Sequence, residues 1–265
     1  MIYKREVKQA QKALWIWIIA LGGMSFLIMS VYPQFAANKE QLDDVMKLYP
    51  EAMLKAFNMD SLGFDTPLGF YAIEGYLFVT LFGSIYAAMM AGSMIVKEES
   101  EKTVEFLLSK PVSRGRIVAE KALAVFTNLL LFNIVLSLIN YAGFRYAGDE
   151  AIDMKIFFMI SLAPFLLHLT FAAIAFAISA IMRKSRAVTS ISLAIVLLSY
   201  FFDIVQSIAE KFEPLKYVTP FEYVDSAYII EHTAIKPLYV SLMAGIVVIC
   251  VLVAYAVYKR KDLSV

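Results

Sequence analysis

Six runs of apolar residues, each set off from the next by a polar stretch, organise this sequence: 13–32, 69–96, 122–144, 156–182, 187–206 and 238–258. A helix needs about 20 residues to cross a hydrocarbon core, so each run predicts one membrane span. The second and fourth are long enough to tilt or protrude. Shorter periodic patterns fill the gaps. Tyr3, Val7, Ala10 and Leu14 recur at helical spacing with Lys4, Arg5, Lys8 and Lys12 off that stripe. This predicts an interfacial helix over 1–12, with Trp15 and Trp17 as anchors; a solvated basic leader is the plainer reading. Leu42, Val45, Met46 and Tyr49, then Met53, Leu54 and Phe57, predict two short helices between the first two spans. Prolines and aromatics within 207–237 predict short helices or a surface loop before the last span. The whole chain, 1–265, reads as a single all-α integral membrane domain.

Composition agrees with that pattern. Apolar residues make up 60% of the chain and charged residues 18%, against about 45–50% and 25% in soluble domains. The net charge of +1 hides a sorting of charge along the chain. With the N-terminus inside, sixteen Lys and Arg fall in the inner segments and eight in the outer ones. That bias places both termini in the cytoplasm of a multi-pass cell-membrane protein. A cleaved leader is disfavoured, because the first run is longer than a usual signal core and five spans follow.

Several chemistries find no support. The eleven glycines include no G-x-x-x-x-G-K-[ST] phosphate loop, and neither H-E-x-x-H nor G-x-S-x-G occurs. No cofactor is expected on this chain, and neither an enzymatic role nor a nucleic-acid partner. The one cysteine, Cys250, and the two distant histidines, His168 and His232, make no metal set. Thirteen methionines show no tight cluster and read as adaptable apolar filler.

Polar residues inside the spans are few. Asn133 and Asn140, seven apart, share a helix face, whereas Asn128 does not. They read either as inter-helix hydrogen-bonding groups or as part of a substrate route. His168 and Asp203 are the other route candidates, since an intramembrane ionisable group is a functional candidate by default. Stripes of small residues (Gly83, Ala87 and Ala91, with Ser84, Ala88 and Gly92 beside them) permit close helix approach. They serve packing within the chain or a dimer.

The densest mixed charge lies at 97–121, between the second and third spans. Glu98, Glu99 and Glu101 suit a helix N-terminus, Val104, Leu107 and Leu108 form an apolar stripe, and Pro111 stops the helix. Ser113 is placed to cap a new helix from Arg114. An amphipathic helix held there can enter a groove on a soluble protein or lie on anionic lipid. The pattern Glu99-(x)3-Thr103-Val104-Glu105-Phe106-Leu107-Leu108-Ser109-(x)-Pro111-Val112-Ser113-Arg114-(x)2-Ile117-Val118-(x)2-Lys121 resembles the corresponding segment of ABC exporter permeases of the second type. Tyr49-Pro50, Thr66-Pro67-Leu68-Gly69-Phe70 and Thr219-Pro220-Phe221-(x)-Tyr223 are similar to that family as well. In the family a glycine usually precedes the threonine, so Lys102 implies a continuous helix in place of a turn.

The resemblance implies a bacterial permease subunit, paired with a second permease subunit and driven by cytoplasmic ABC ATPase subunits that hold ATP and Mg. It implies that 97–121 is a coupling helix, with Glu99, Thr103, Glu105, Phe106, Leu107, Leu108 and Arg114 transmitting motion. Arg183, Lys184 and Arg186 are a lesser contact. The apolar interior points to export of a hydrophobic or amphipathic cargo such as a peptide toxin, antimicrobial or drug. A stand-alone membrane protein, either an intramembrane enzyme or an ion-conducting oligomer, is the alternative.

Overall fold

The computed structural model describes residues 2–38, 48–59, 61–105, 112–148 and 152–261, all helix, turn or loop. Six helices are long and apolar enough to cross a membrane. They are α1 (Ile2–Ala37), α3 (Pro67–Ser93), α5 (Arg114–Ala147), α6 (Met154–Ile181), α7 (Ser185–Ile208) and α9 (Pro237–Arg260). Short helices α2 (Glu51–Ala56), α4 (Lys97–Ser100) and α8 (Ser226–His232) lie between them. Tight 3-10 turns at Glu210–Tyr217 and Glu222–Val224 complete the connection before α9. Of the two short helices expected between the first spans, the second is α2, while most of the first lies outside the described residues.

The spans alternate in direction, so both termini lie at one end of the bundle. Helices α3 and α6 pack together along their length and form the centre, with α1 against α5 on one side and α9 against α6 on another. The apolar windows of α3 and α6 are the most buried, and those of α7 and α9 the least. An apolar helix surface left uncovered by protein is stable only against lipid or another apolar chain.

The N-terminal stretch differs from expectation. Residues 2–37 form one uninterrupted helix, so no turn separates an interfacial helix from the first span. Nothing in 10–16 breaks a helix: there is no Gly or Pro. The buried stripe is also not the wholly apolar one expected. It runs Ile2, Glu6, Leu14, Ile18, Ser25, Met29 and Tyr32, with Glu6 fully buried. Trp15 is exposed, and Trp17 packs on Tyr86 with ring centroids 5.7 Å apart.

The start of α3 is built with care for its backbone groups. The Thr66 hydroxyl accepts from Gly69 N at 3.0 Å, and Pro67 fills the first helical turn, where its missing N–H is harmless. Gly69 lies so near the Gly63 carbonyl that a side chain there would collide with it. A π turn follows at Tyr71–Gly75. It puts the Tyr71 ring over Gly75, where a methyl would meet the ring at 2.7 Å, and sends the Tyr71 hydroxyl to Asn140.

Polar groups join the helices within the bundle. The Ser25 hydroxyl of α1 donates to Asn140 Oδ1 of α5 at 2.7 Å, and Asn140 Nδ2 donates to the Tyr71 hydroxyl at 2.7 Å. Asn133 Oδ1 lies 3.0 Å from His168 Nδ1 of α6, whose Nε2 lies 3.0 Å from the Val79 carbonyl of α3. The Tyr86 hydroxyl donates to Asn128. All three asparagines therefore face the interior, Asn128 included: Asn128 bonds α3, Asn133 bonds α6, and Asn140 bonds both α1 and α3. The small-residue stripe of α3 has a matching purpose: Gly83 lies directly against the His168 imidazole, and a methyl on Gly92 would meet Val188 of α7 at 3.2 Å.

One prediction follows from Gly83. Gly83→Ala should overpack the His168 contact and lower stability by about 1–3 kcal/mol, read as thermal unfolding in detergent. Adding His168→Ala should recover part of that loss. If the double variant is merely the sum of the two single ones, the contact does not govern the site.

Candidate functional site

The end of the bundle that holds the termini carries a group of buried charges. Glu6 of α1 and Glu98 of α4 are almost wholly inaccessible, as is Lys121 of α5. Lys121 Nζ donates to both Glu98 oxygens, at 2.7 and 2.9 Å, and lies 3.6 Å from Glu6 Oε1. It also donates to the Met94 carbonyl at the end of α3. Arg5 donates to Glu6 at 3.0 Å and to Glu98 at 2.9 Å, and Lys97 donates to Glu6. Three cations and two carboxylates thus bind the beginnings of α1 and α5 to the chain leaving α3. Ions buried in a low-dielectric interior persist only when paired and hydrogen-bonded. Here each carboxylate faces two or three cationic donors.

A second ionic link lies beside the first. Lys261, just past α9, donates to Glu99 Oε2 at 2.7 Å and to the Met182 carbonyl at 2.7 Å. Arg114 at the start of α5 donates back to the Lys261 carbonyl at 2.7 Å. One lysine therefore joins both connections at this end of the bundle, 94–113 and 182–184, to the C-terminal helix. At the same level, the Ser179 hydroxyl of α6 accepts from the Ile95 and Val96 amides at 3.1 and 3.0 Å. These amides would otherwise be unpaired at the end of α3.

The segment after α4 does not continue as a helix. Lys102 has φ 55°, in the left-handed region. The Thr103 amide donates to the Glu98 carbonyl at 2.8 Å and the Lys102 amide to the Glu99 carbonyl at 3.3 Å. This pair of bonds is a Schellman closure, in which glycine is the usual left-handed residue. The turn normally made with glycine is therefore kept with lysine, and the continuous helix expected from Glu98 is corrected: a four-residue helix ends in a sharp turn, and Val104 and Glu105 beyond it are helical again. Val104 is buried beyond it, and Ser113 caps α5 by accepting from Arg116 N at 3.3 Å.

The sequence candidates separate by position. Thr103 at the turn and Glu105 in the helical residues just beyond it are exposed. Glu99 points inward, with its carboxylate held by Lys261, and Arg114 is half-buried against the end of α9. Arg183, Lys184 and Arg186 are exposed at the same end. Phe106, Leu107 and Leu108 lie outside the described residues. Asn133, Asn140 and His168 are buried in inter-helix bonds deep in the bundle. Asp203 lines a cavity at the opposite end. The residues that sequence reasoning missed are Glu6, Lys97, Lys121 and Lys261. Glu6 was the available signal: a lone carboxylate in a basic leader, seven residues before the first span.

Two predictions rest on this geometry. Lys121→Met should leave buried Glu98 with Arg5 as its remaining cation in the cluster and cost about 3–5 kcal/mol, whereas Lys216→Met, a surface pair with Glu213, should change stability by less than about 1 kcal/mol. Thermal melts of both variants check this. Lys102→Gly should be tolerated or stabilising, and Lys102→Val destabilising by about 1–2 kcal/mol, because a β-branched side chain suits the left-handed region poorly. Equal melts for the Gly and Val variants would show that the turn is not under strain.

The family model for the ABC-2 family transporter protein matches residues 1–263, nearly the whole chain. Among curated proteins, none matches the chain. Six spans, the buried ion group and the turn at Lys102 occur together with the segment that most resembled this family in the sequence. The chain belongs to the ABC-2 transporter family and is the multi-pass membrane permease component of an ABC transporter, a component distinct from the ABC ATPase with which the family works.

Proposed function

We propose that this permease exports a hydrophobic or amphipathic cargo, a peptide toxin, antimicrobial or drug, across a bacterial cell membrane. Two permease subunits, alike or different, stand in the bilayer with both termini in the cytoplasm. ATP and Mg are held by the partner ATPase subunits. The segment 97–121 is the coupling element, seated in a cleft of the ATPase. Thr103, Glu105, Phe106, Leu107 and Leu108 meet the partner, and Arg183, Lys184 and Arg186 make a second contact. Glu99 and Arg114 act one step behind, by carrying movement of the segment into α5 and α9.

The observation that carries this reading is the ionic attachment of 97–99 to three long helices at once. A push delivered at the exposed turn cannot be absorbed by a loose loop. It is passed to α1 through Glu6 and Arg5, to α5 through Lys121, and to α9 through Lys261. The basic-residue bias supports a cytoplasmic position for this end, where an ATPase is available. The exposed apolar faces of α7 and α9 support burial against lipid and a second permease. The interior offers little fixed charge away from the two ends, which favours an apolar or amphipathic cargo.

The test is co-purification with the cognate ATPase. Leu107→Asp with Leu108→Asp should abolish recovery of the ATPase and cargo-stimulated ATP hydrolysis, while the permease still inserts and elutes normally. Undiminished recovery would refute coupling through this segment. Lys261→Met should act differently: the ATPase is retained, but stimulation of hydrolysis by cargo falls several-fold. ATP hydrolysis by the permease alone would overturn the division of labour.

A further inference from the structure

At the end of the bundle away from the termini lies a cavity of about 130 Å³. Three separate parts of the chain enclose it: the turn after α2 with Phe57 and Asn58, the start of α3 with Tyr76, and α7 with Tyr200 and Asp203. The stretch from Phe221 to Ser226 forms the remaining wall. The space is sufficient for one head group, and smaller than the roughly 300–1,000 Å³ that encloses a drug-sized ligand.

The charges around it do not balance. Asp203, Glu222 and Asp225 all line the cavity. Asp225 is committed to structure: it accepts from Asn58 Nδ2 at 2.7 Å and caps α8 through the Ala227 and Tyr228 amides. Glu222 accepts from Gln206 at 2.9 Å and has Lys236 4.0 Å away. Lys236 is also occupied with the Tyr228 and Tyr239 rings. Burial and the Asp225 charge both hold the Glu222 carboxyl above the usual carboxylate range. Asp203 is the exception. Its Oδ1 is buried and has no hydrogen-bond partner among the described residues. That oxygen is closed off from the cavity, and no cation among the described residues pairs with the Asp203 carboxylate, so a positive charge held in the cavity would offset it and its neighbours.

A metal ion does not fit this arrangement, because no three His, Cys, Asp or Glu side chains among the described residues converge closely enough to hold one. The aromatic walls fit an organic cation instead, since an ammonium or guanidinium is drawn to the faces of Tyr and Phe rings. Tyr76 donates its hydroxyl to the Val224 carbonyl, which keeps that ring fixed in the wall.

We infer that this cavity is a binding site for a protonated amine or guanidinium head group, with the Asp203 carboxylate as its counter-charge and the aromatic walls flanking it. As a cargo site this rests on the export reading above, and it narrows that cargo to cationic amphipathic molecules. Their apolar portion would extend from the cavity mouth along the bundle. The head group would be engaged at the far end of the path.

The experiment uses the full permease with its ATPase in lipid nanodiscs and a fluorescent alkylammonium probe, dansylcadaverine. Saturable binding is expected for the unaltered protein and should weaken at least tenfold in Asp203→Asn. Glu231→Gln, an exposed carboxylate on α8 outside the cavity, should stay within twofold. The N-acetylated probe, which is neutral and equally apolar, should give no saturable signal, and this comparison needs no variant. Binding of the acetylated probe as tight as that of the amine would overturn the proposal, as would an unchanged titration for Asp203→Asn. Recovery of the ATPase in the same unaltered sample reports separately on the export reading. Probe binding without ATPase association would refute that reading and leave the cavity assignment standing.

Discussion

The cluster of Arg5, Glu6, Lys97, Glu98 and Lys121 is the constraint on which the rest of the molecule depends. Taking these charges out of water carries a desolvation cost of several kcal/mol per ion. Attraction offsets that cost only while the partners stay in place, and the partners are spread over three helices, α1, α4 and α5. Apolar contacts tolerate sliding, whereas an ionic group of this kind has one good arrangement and many poor ones. It therefore fixes the register of α1, α3 and α5 where those helices leave the bilayer. A purely apolar seam would hold the same helices together without holding them in register.

Deeper in the bundle the same logic is repeated with neutral groups. Lipid competes equally well for apolar side chains, so helix association in a bilayer rests on packing and hydrogen bonds. The bonds from Ser25 to Asn140 to Tyr71, and from Asn133 to His168 to the Val79 region, join α1, α3, α5 and α6. Small residues let those helices approach closely enough for the bonds to form, as Gly83 does beneath His168. The outcome is a stiff four-helix centre, with α7 and α9 laid on its outside.

The spans were legible because twenty consecutive apolar residues have few other uses, and all six helices include the runs read from composition, save the last residues of 69–96 and 156–182, which lie beyond α3 and α6. The cap at Ser113 was legible as well, since its chemistry is local. What escaped was non-local. Glu6 counted as an interruption of a basic leader until its partners, more than ninety residues away, came into view. Lys121 counted as one of sixteen inner cations, although it is buried. At Lys102 a local rule failed for a physical reason: lysine favours helix by propensity, yet the carbonyls of Glu98 and Glu99 gain partners only if the chain turns there. Closing those bonds outweighs a left-handed penalty of about 1–2 kcal/mol. Asp203 was singled out as an intramembrane carboxylate, but its significance needed the wall formed by Phe221 to Ser226, which no periodicity shows.

The two ends of the bundle solve opposite problems. At the end with the termini, every buried carboxylate has a cation beside it, although Arg5 Nε and Glu99 Oε1 have no hydrogen-bond partner among the described residues, and the chain leaves an exposed turn on a stiff base. At the other end, the Asp203 carboxylate lines an aromatic-walled space with no cation paired to it among the described residues. A protein that could neutralise five charges in one place had the chemistry to neutralise a sixth; a lysine in the facing wall would suffice. Leaving the Asp203 carboxylate without a cation costs stability, and such a cost is recovered when a ligand supplies the missing counter-charge. Helix α3 begins at the cavity and ends at the ion cluster. A shift of α3 driven from one end must therefore alter the geometry at the other, so the stiffness conferred by the ion cluster is what would connect the driven turn to the open carboxylate.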